Sequence, residues 1–298
     1  MLTALSGVAG SFLAPQRSAQ PRQRVSQRRL ISYTPGMPFA PSGGMGLYYE
    51  LHGPKAGTAP AIVFAHGAGG NHLSWWQQVP YFSDRYTCLT FDHRGYGQSH
   101  DIEGGPGGAA FVDDLRALLD HAGIERATLV AQSLGGWTCL GFTRRHPERV
   151  DRLMMCDTHG GLSTPEMDAS WGATLALAAA LPPGVHPAAG ERMHREQPEL
   201  HFLYVAIAEL NSRTREQMLG DIRAAGPTSP SDAGRVNAPV LFIEGAEDIV
   251  ITPAMIKLAA AHIPGAAVKF VPETGHSVYF ERAAVFNGIL RDFLEATP

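Results

Sequence analysis

The sequence predicts an α/β protein with a doubly wound, mostly parallel sheet, and three features of the chain support this prediction. Short apolar runs recur along it, amphipathic helical segments separate them, and a serine stands at a sharp strand-to-helix turn near the middle. Runs that are apolar throughout are typical of parallel strands that helices cover on both faces. Their repeated alternation with helical segments indicates a doubly wound sheet.

Seven apolar runs predict the strands of this sheet. They are Gly46–His52, Ala61–Ala65, Thr87–Phe91, Ala127–Ala131, Leu153–Cys156, Val240–Ile243 and Val268–Val271. Between them, Ala109–His121 places its apolar residues on one helical stripe, and apolar residues recur at helical spacing from Phe280 to Phe293. Thr252 followed by Pro253 is a strong helix start.

Residues 159–237 contain no strand signal and are far more numerous than one crossover between parallel strands requires. A helix start lies at Ser163, and further helical patterns cover Leu200–Leu210 and Thr214–Ala225. We therefore expect a helical cap over the carboxyl edge of the sheet, where ligands bind in this architecture. The predicted organisation is an N-terminal extension at 1–45, an α/β core at 46–158 and 238–298, and a helical cap at 159–237.

The composition argues against several classes of function. The 298 residues carry a net charge of −4, with 44% hydrophobic and 17% charged residues, as is ordinary for a soluble enzyme. This charge gives no electrostatic reason to expect nucleic acid or an anionic membrane as a partner. The sequence also contains no unbroken run of about 20 apolar residues, the length needed to span a bilayer. Cys88, Cys139 and Cys156 lie in apolar runs, so we expect buried free thiols and a cytoplasmic protein. The sequence does not specify an oligomeric state.

The N-terminal extension leaves two interpretations open. It contains five arginines and no acidic residue, a bias that suits an organelle transit peptide. We favour a disordered extension, with the folded protein beginning near Ile31 or Met45, because compositional signals of this kind are weak. An organelle is therefore the alternative to the cytoplasm as the location of the protein.

Ser133 stands at the apex of a strand, an abrupt turn and a helix within Leu129–Trp137. In a nucleophile elbow, the turn crowds the positions two before and two after the serine, so that only small residues fit there. Ala131 and Gly135 occupy these positions, with alanine in place of the usual first glycine. Such a turn would expose the hydroxyl group and direct the N–H groups of the following helix at the reacting oxygen. The alternative is a serine that only caps a helix.

The loop His66–Asn71 follows the strand Ala61–Ala65 and is rich in glycine. Glycine lets a backbone turn closely around a substrate oxygen and direct N–H groups at it. We predict that the backbone N–H groups of Ala68 and Leu134 form an oxyanion hole.

His276 is the candidate general base. It lies in a loop between the last strand and the last helix, at the sheet edge where Ser133 also lies. Imidazole is the side chain whose ordinary pKa suits proton transfer near neutrality. His66 and His93 are predicted instead to brace loops.

The carboxylate that orients His276 is predicted to be Asp248. Asp248 follows the strand Val240–Ile243 and so lies at the same edge of the sheet. Two alternatives remain open at this point. Glu247 is adjacent in sequence, and Asp157 follows the preceding strand.

Together these segments resemble the α/β-hydrolase superfamily, in particular its serine esterase and enol-lactonase-like branch, over residues 46–296. The matching segments are His66-Gly67, Asp92–Ser99, the elbow at Ala131–Gly135, Gly245-x-x-Asp248 and Gly275-His276. The resemblance implies the α/β-hydrolase fold, with a helical cap inserted after the sixth strand and the chain order Ser133, Asp248, His276 for the catalytic residues. It also implies that Asp92–Ser99 is a structural loop. A serine rather than an aspartate as nucleophile argues against haloalkane dehalogenase and epoxide hydrolase chemistry.

Apolar side chains near the elbow and in the insertion predict a substrate with a hydrophobic part. The candidate pocket residues are Gly67, Trp75, Trp76, Trp137 and Trp171, and for each tryptophan core packing is the alternative.

The predicted function is hydrolysis of a carboxylic ester or lactone through an acyl-enzyme on Ser133. Neither a metal-ligand cluster nor a dinucleotide fingerprint is visible in the sequence, so we expect no metal and no cofactor. The alternatives are a carbon–carbon bond hydrolase of the same fold, and a ligand sensor or a cofactor-free lyase or oxygenase.

Overall fold

An eight-stranded sheet runs through the protein, whose structure, a computed structural model, describes residues 38–296. Its strands are β1 (Phe39–Ser42), β2 (Met45–His52), β3 (Ala61–Ala65), β4 (Thr87–Phe91), β5 (Ala127–Gln132), β6 (Val150–Cys156), β7 (Val240–Gly245) and β8 (Ala267–Val271). Their order in the sheet is β1-β2-β4-β3-β5-β6-β7-β8. The pairs β1–β2 and β2–β4 are antiparallel and all the others are parallel, which confirms the predicted doubly wound fold class.

All seven predicted strands are present, whereas β1 was not predicted. It lies within the stretch 1–45 and pairs with β2 at the edge of the sheet, so residues 39–42 and Met45 form part of the sheet. Its four residues include Pro41, which has no N–H to donate and is therefore confined to edge strands. The interpretations of the chain before residue 38, as a transit peptide or as a disordered extension, lie outside the described residues.

Eleven α-helices accompany the sheet in the described part of the chain. They are α1 (Val79–Phe82), α2 (Phe111–Ala122), α3 (Gly135–Arg145), α4 (Pro165–Ala179), α5 (Gly190–Glu196), α6 (Pro198–Ala208), α7 (Arg215–Ala225), α8 (Pro230–Ala233), α9 (Pro253–Ala261), α10 (Val278–Glu281) and α11 (Ala283–Glu295). Helices α4 to α8 lie between β6 and β7, so the insertion follows the sixth strand as predicted. Within residues 38–296, no helix combines the length and the apolar character needed to cross a membrane.

Two hydrophobic cores cover the faces of the sheet, and successive residues of β3 show the division. Val63 belongs to one core, and its neighbours Ile62 and Phe64 belong to the other. Such alternation follows from the two-residue period of side chains along a strand. All five residues of β3 are buried, as expected for a central strand covered on both faces. The three cysteines are free and buried, in agreement with their apolar surroundings in the sequence.

Candidate active site

Ser133 follows β5 directly and has a backbone φ of +47°, an unusual value for a residue with a side chain. Its N–H group donates a hydrogen bond of 3.1 Å to the carbonyl oxygen of Cys156. Gly135 lies so close to β3 that an added Cβ would overlap the carbonyl oxygen of Ala65. The strained apex and the crowded glycine are the geometry expected of a nucleophile elbow.

His276 and Asp248 are joined by a hydrogen bond of 2.6 Å between Nδ1 and Oδ2, and both side chains are buried. The other carboxylate oxygen accepts hydrogen bonds from the N–H groups of Val250, at 2.7 Å, and Ile251, at 3.1 Å. Because the carboxylate accepts at Nδ1, the imidazole carries a proton there and its Nε2 retains a lone pair for a proton of the nucleophile.

Two opposing effects act on the pKa of His276. Burial favours the neutral ring and so lowers the pKa, but the charge and hydrogen bond of Asp248 outweigh it, with smaller contributions from Asp157 and Glu281. The net result is a pKa above the ordinary value of an imidazole. The carboxylate thus stabilises the imidazolium that a general base becomes during the reaction.

The two alternative carboxylates bind other groups. Asp157 accepts hydrogen bonds of 3.1 Å from the N–H groups of both Gly245 and Val278. Glu247 forms a bidentate ion pair with Arg192 near the surface. Of the three candidate acids, the structure therefore brings only Asp248 into hydrogen-bond contact with the imidazole.

The turn that carries Ser133 and the loop that carries His276 are in contact through Gln132. Its side-chain amide donates a hydrogen bond of 3.0 Å to the carbonyl oxygen of His276. Gly67 packs against Gln132 and Ser133, because an added Cβ would overlap Gln132 Oε1 and lie 2.9 Å from Ser133 Cβ. Within residues 38–296, no hydrogen bond joins the hydroxyl of Ser133 to His276. Such bonds are often long before substrate binds.

The predicted oxyanion-hole residues lie together. Leu134 is buried in a small cluster with Tyr96 and Phe111, and Ala68 packs against the same cluster. Among residues 38–296, neither the N–H group of Ala68 nor that of Leu134 donates a hydrogen bond to the protein. Since buried or half-buried backbone N–H groups normally have partners, two free donors beside the elbow are suited to hold an oxygen of a ligand.

His66 holds the loop that carries Ala68. Its Nδ1 donates a hydrogen bond of 2.7 Å to the carbonyl oxygen of Gly67, and its Nε2 accepts one of 2.9 Å from the N–H group of His93. Burial lowers the pKa of His66 to about 4, so the ring is neutral near pH 7. His66 and His93 thus brace loops, as the sequence predicts.

The predicted pocket residues have different surroundings. Trp75 is fully buried in the core between Phe64 and Tyr279, so its prediction as a pocket residue is wrong. Trp76, the next residue, is 44% exposed at the surface. The short 3₁₀ turn that contains Trp75 directs the two side chains apart.

Trp137 and Trp171 lie on either side of His159, with ring centroids 4.8 Å and 5.6 Å from that ring. Both tryptophans are partly buried. Gly161 packs closely on Trp137, since an added Cβ would lie 2.6 Å from the indole nitrogen. This aromatic group joins three segments, since Trp137 belongs to α3, His159 to the loop after β6, and Trp171 to α4 in the insertion.

Asp157, Glu244 and Asp248 form a buried cluster in which one carboxylate oxygen of each lies within 4.8 Å of the others. Asp157 and Asp248 already accept hydrogen bonds from N–H groups, whereas both oxygens of Glu244 have no partner within residues 38–296. Burial, with the neighbouring charges, raises the pKa of Asp157 to about 7 and that of Glu244 well above its ordinary value. A buried group of this kind relieves its like charges by holding protons.

Two residues of the insertion that the sequence prediction of the site did not include, Asn211 and Ala188, contact the candidate site. Asn211 accepts a hydrogen bond of 2.9 Å from the N–H group of Gly97 and donates one of 3.1 Å to the carbonyl oxygen of Gly70. Ser277, next to the candidate base, donates a hydrogen bond of 2.7 Å to the carbonyl oxygen of Ala188. No periodic or motif signal marks these contacts, because they form only when distant segments pack together.

Comparisons with known proteins agree with this geometry. A family model described as the alpha/beta hydrolase fold matches residues 60–188. A 3-oxoadipate enol-lactonase of Acinetobacter baylyi is 29% identical over 246 residues, which cover 76% of this chain and 86% of that protein. A protein of Caulobacter sp. (strain K31) that is named as a carbamate hydrolase, RutD, is 28% identical over 264 residues, which cover 84% and 96% of the two chains.

Among solved structures, Est816, described as an N-acyl homoserine lactone degrading enzyme, superposes with a TM-score of 0.71 at 28% identity. The match covers 86% of this chain and 100% of that one. The matched relatives and the eight-stranded sheet with its insertion after β6 lead to one conclusion. The chain has the α/β-hydrolase fold.

Proposed function

We propose that this protein is a serine hydrolase that cleaves a carboxylic ester or a lactone with an apolar part. The observation that carries the proposal is the pair of free N–H groups of Ala68 and Leu134 beside the strained Ser133. The hydrogen bond between His276 and Asp248 supports it, because it leaves the imidazole ready to accept a proton.

In the proposed reaction, Ser133 Oγ attacks the carbonyl carbon while His276 Nε2 takes the hydroxyl proton. The carbonyl oxygen becomes an oxyanion, which the N–H groups of Ala68 and Leu134 stabilise. The bond to the leaving oxygen then breaks, and His276 gives its proton to that oxygen. Water, deprotonated by His276, then attacks the acyl carbon of the acyl-enzyme. The bond from that carbon to Ser133 Oγ breaks, His276 returns the proton to Oγ, and the acid is released. One donor of an oxyanion hole typically contributes a factor on the order of 10²–10³ to turnover.

The names of the relatives support a carbonyl substrate, although they differ in its nature. Est816 and the Acinetobacter protein are named for lactones, and the Caulobacter protein is named for carbamates. A carbamate presents the same carbonyl carbon to a serine nucleophile, so carbamate hydrolysis is a second candidate function. The carbon–carbon hydrolase and the sensor remain alternatives that the same site could serve.

The test uses purified wild-type protein and Ser133→Ala with p-nitrophenyl esters from acetate to dodecanoate. A lactone series followed by pH-stat and a p-nitrophenyl carbamate complete the panel. We expect release of p-nitrophenol by the wild type and its loss in the variant, with the optimum chain length reporting the size of the pocket. A folded wild type that turns over none of these substrates, but cleaves a vinylogous diketone, would contradict the proposal in favour of carbon–carbon cleavage. Ligand-induced thermal stabilisation without turnover would instead favour a sensor.

A further inference from the structure

Two side chains of the insertion, Tyr204 of α6 and His186 of the loop before α5, face the loop that carries the candidate oxyanion hole. A Cβ built on Gly69 would lie 3.7 Å from Tyr204 Oη and 3.9 Å from His186 Cε1. The two rings are in contact, with centroids 5.4 Å apart. Gly69 follows Ala68 directly, so both side chains lie beside the position proposed for the carbonyl oxygen of the substrate.

The same two side chains also extend toward the histidine loop. Tyr204 packs edge-to-face on Phe280, with ring centroids 5.1 Å apart, and His186 is close enough to His276 for the two rings to interact electrostatically. The loop after His186 is fixed there, because the hydroxyl group of Ser277 donates a hydrogen bond to the carbonyl oxygen of Ala188. Tyr204 and His186 thus extend from the loop that carries Ala68 to the segment that follows His276.

Both side chains present a donor in this position. His186 Nδ1 accepts a hydrogen bond of 3.2 Å from the N–H group of Ala188, so the proton of the neutral ring is on Nε2. Burial, helped by His201 and His276, lowers the pKa of His186, and burial raises the pKa of Tyr204 to about 12. Near pH 7 the two side chains therefore present a neutral imidazole N–H group and a neutral phenol O–H group.

The ionisable groups around Tyr204 and His186 disfavour an anionic ligand. The ionisable groups with the largest effects on Tyr204 are the carboxyl groups of Glu281, Asp157 and Asp248, and each of them raises the pKa of the phenol. A carboxylate bound here would be removed from water beside these carboxyl groups, which costs free energy in a site of low dielectric constant. A neutral oxygen can accept both hydrogen bonds without that penalty.

We infer that Tyr204 and His186 form a pair of hydrogen-bond donors that binds an uncharged oxygen of the substrate, such as an ether or amide oxygen close to the scissile carbonyl. The inference rests on the proposed function, since it names the class of ester or lactone that the site prefers. Substrates with a neutral oxygen acceptor on the acyl chain are then hydrolysed faster than alkyl analogues of the same length, and substrates with a carboxylate there are hydrolysed more slowly.

The test compares three p-nitrophenyl esters of equal chain length: pentanoate, 3-methoxypropanoate and 2-ethoxyacetate, with the hemisuccinate as the anionic member. Each kcat/KM is divided by the rate of the same ester with hydroxide, which removes differences in intrinsic reactivity. We expect at least one ether ester to exceed pentanoate by roughly threefold to tenfold, the contribution of one or two hydrogen bonds, and the hemisuccinate to fall below it.

Two variants assign that preference to the pair. Tyr204→Phe keeps the ring on Phe280 and removes the hydroxyl, and His186→Asn keeps an acceptor for the N–H group of Ala188. Each is expected to reduce the ether-to-pentanoate ratio toward one, whereas Tyr81→Phe, an exposed tyrosine of α1, keeps the wild-type ratio. Absence of the preference in the wild type, or its survival in both variants, would overturn the inference.

Binding to Ser133→Ala protein separates this inference from the proposed function. Thermal stabilisation by methyl 3-methoxypropanoate or methyl 2-ethoxyacetate is compared with that by methyl pentanoate, with and without Tyr204→Phe. An ether preference that depends on Tyr204 supports the inference even if the wild type hydrolyses no ester, in which case only the proposed function fails. Equal stabilisation by all three esters overturns the inference, whatever the turnover.

Discussion

Asp248→Asn tests the proposed acid with little change in shape. The native Oδ1 accepts hydrogen bonds from the N–H groups of Val250 and Ile251, and an asparagine oxygen would remain in that position. The new amide NH₂ would then face His276 Nδ1, where the carboxylate oxygen lies at 2.6 Å in the wild type. Because Nδ1 must now accept that hydrogen bond, the ring proton moves to Nε2, where it blocks removal of the proton from Ser133.

The expected loss is on the order of 10³–10⁴ in kcat, the size reported for a wrong imidazole tautomer in a serine triad. It corresponds to roughly 4–5.5 kcal/mol of activation free energy. The assay is steady-state hydrolysis of the best p-nitrophenyl ester, with circular dichroism and the melting temperature as tests of folding. The site geometry predicts little effect on KM, since Asp248 is buried behind the imidazole.

Asp157→Asn is the matched control, because Asp157 lies in the same buried cluster but binds Gly245 and Val278 rather than the imidazole. An amide NH₂ that faces one of those N–H groups leaves a donor unsatisfied, so we expect a loss of about 1–3 kcal/mol in the free energy of unfolding. Activity of the folded variant is expected to stay within about tenfold of the wild type, which is far above that of Asp248→Asn. Equal losses of kcat in the two folded variants, or full activity of Asp248→Asn, would refute the assignment.

Three further predictions follow from contacts around the site. Gly67→Ala should abolish most activity because its Cβ would overlap Gln132 Oε1, whereas Gly69→Ala, whose Cβ has contacts of ordinary length, should keep the fold and most turnover in the same ester assay. Arg94→Met should lower the free energy of unfolding by about 3–5 kcal/mol in urea titrations, because it leaves the buried or half-buried carboxylates of Asp101 and Asp114 without the guanidinium group. A smaller loss would mean that water reaches these carboxylates. Burial raises the pKa of Glu281 to about 8. The stability that its bound proton contributes is therefore full below the ordinary carboxyl pKa and is lost as the pH rises to about 8. Glu281→Gln should make the melting temperature depend less on pH over that range, and an unchanged slope of melting temperature against pH would contradict this.

The sequence predicted the strands and the candidate residues Ser133 and His276 because both depend on local signals. Runs such as Ala61–Ala65 and Thr87–Phe91 are apolar throughout, and the structure forms strands over those same residues. Ser133 and His276 were found because each follows a strand at the carboxyl edge, so the topology alone places them near each other. Strand β1 was missed because four residues with a proline give too weak a pattern.

The directions of side chains and the contacts of the insertion could not be predicted from local patterns. Trp75 and Trp76 are adjacent and equally apolar, yet one is fully buried and the other is 44% exposed, since the short turn between β3 and α1 has no period that a sequence pattern reveals. Tyr204 and His186 lie in an insertion whose helices have no strand to align them. Their positions depend on how the insertion packs against the loops after β3 and β8, and a single sequence carries no signal of that packing.

Backbone strain is concentrated where the chemistry is proposed. Within residues 38–296, the non-glycine residues with positive φ are Ser133, Asp157 and Glu273, and each follows the carboxyl end of a strand, β5, β6 or β8. Each such conformation costs about 1–3 kcal/mol, so the surrounding contacts must hold it in place. The carboxylate of Asp157 accepts hydrogen bonds from the N–H group of Gly245, at the end of β7 before Asp248, and from that of Val278, at the start of α10 after His276. One strained residue thereby fixes the relative position of the two segments that precede Asp248 and follow His276, although its own carboxyl group does not contact the imidazole.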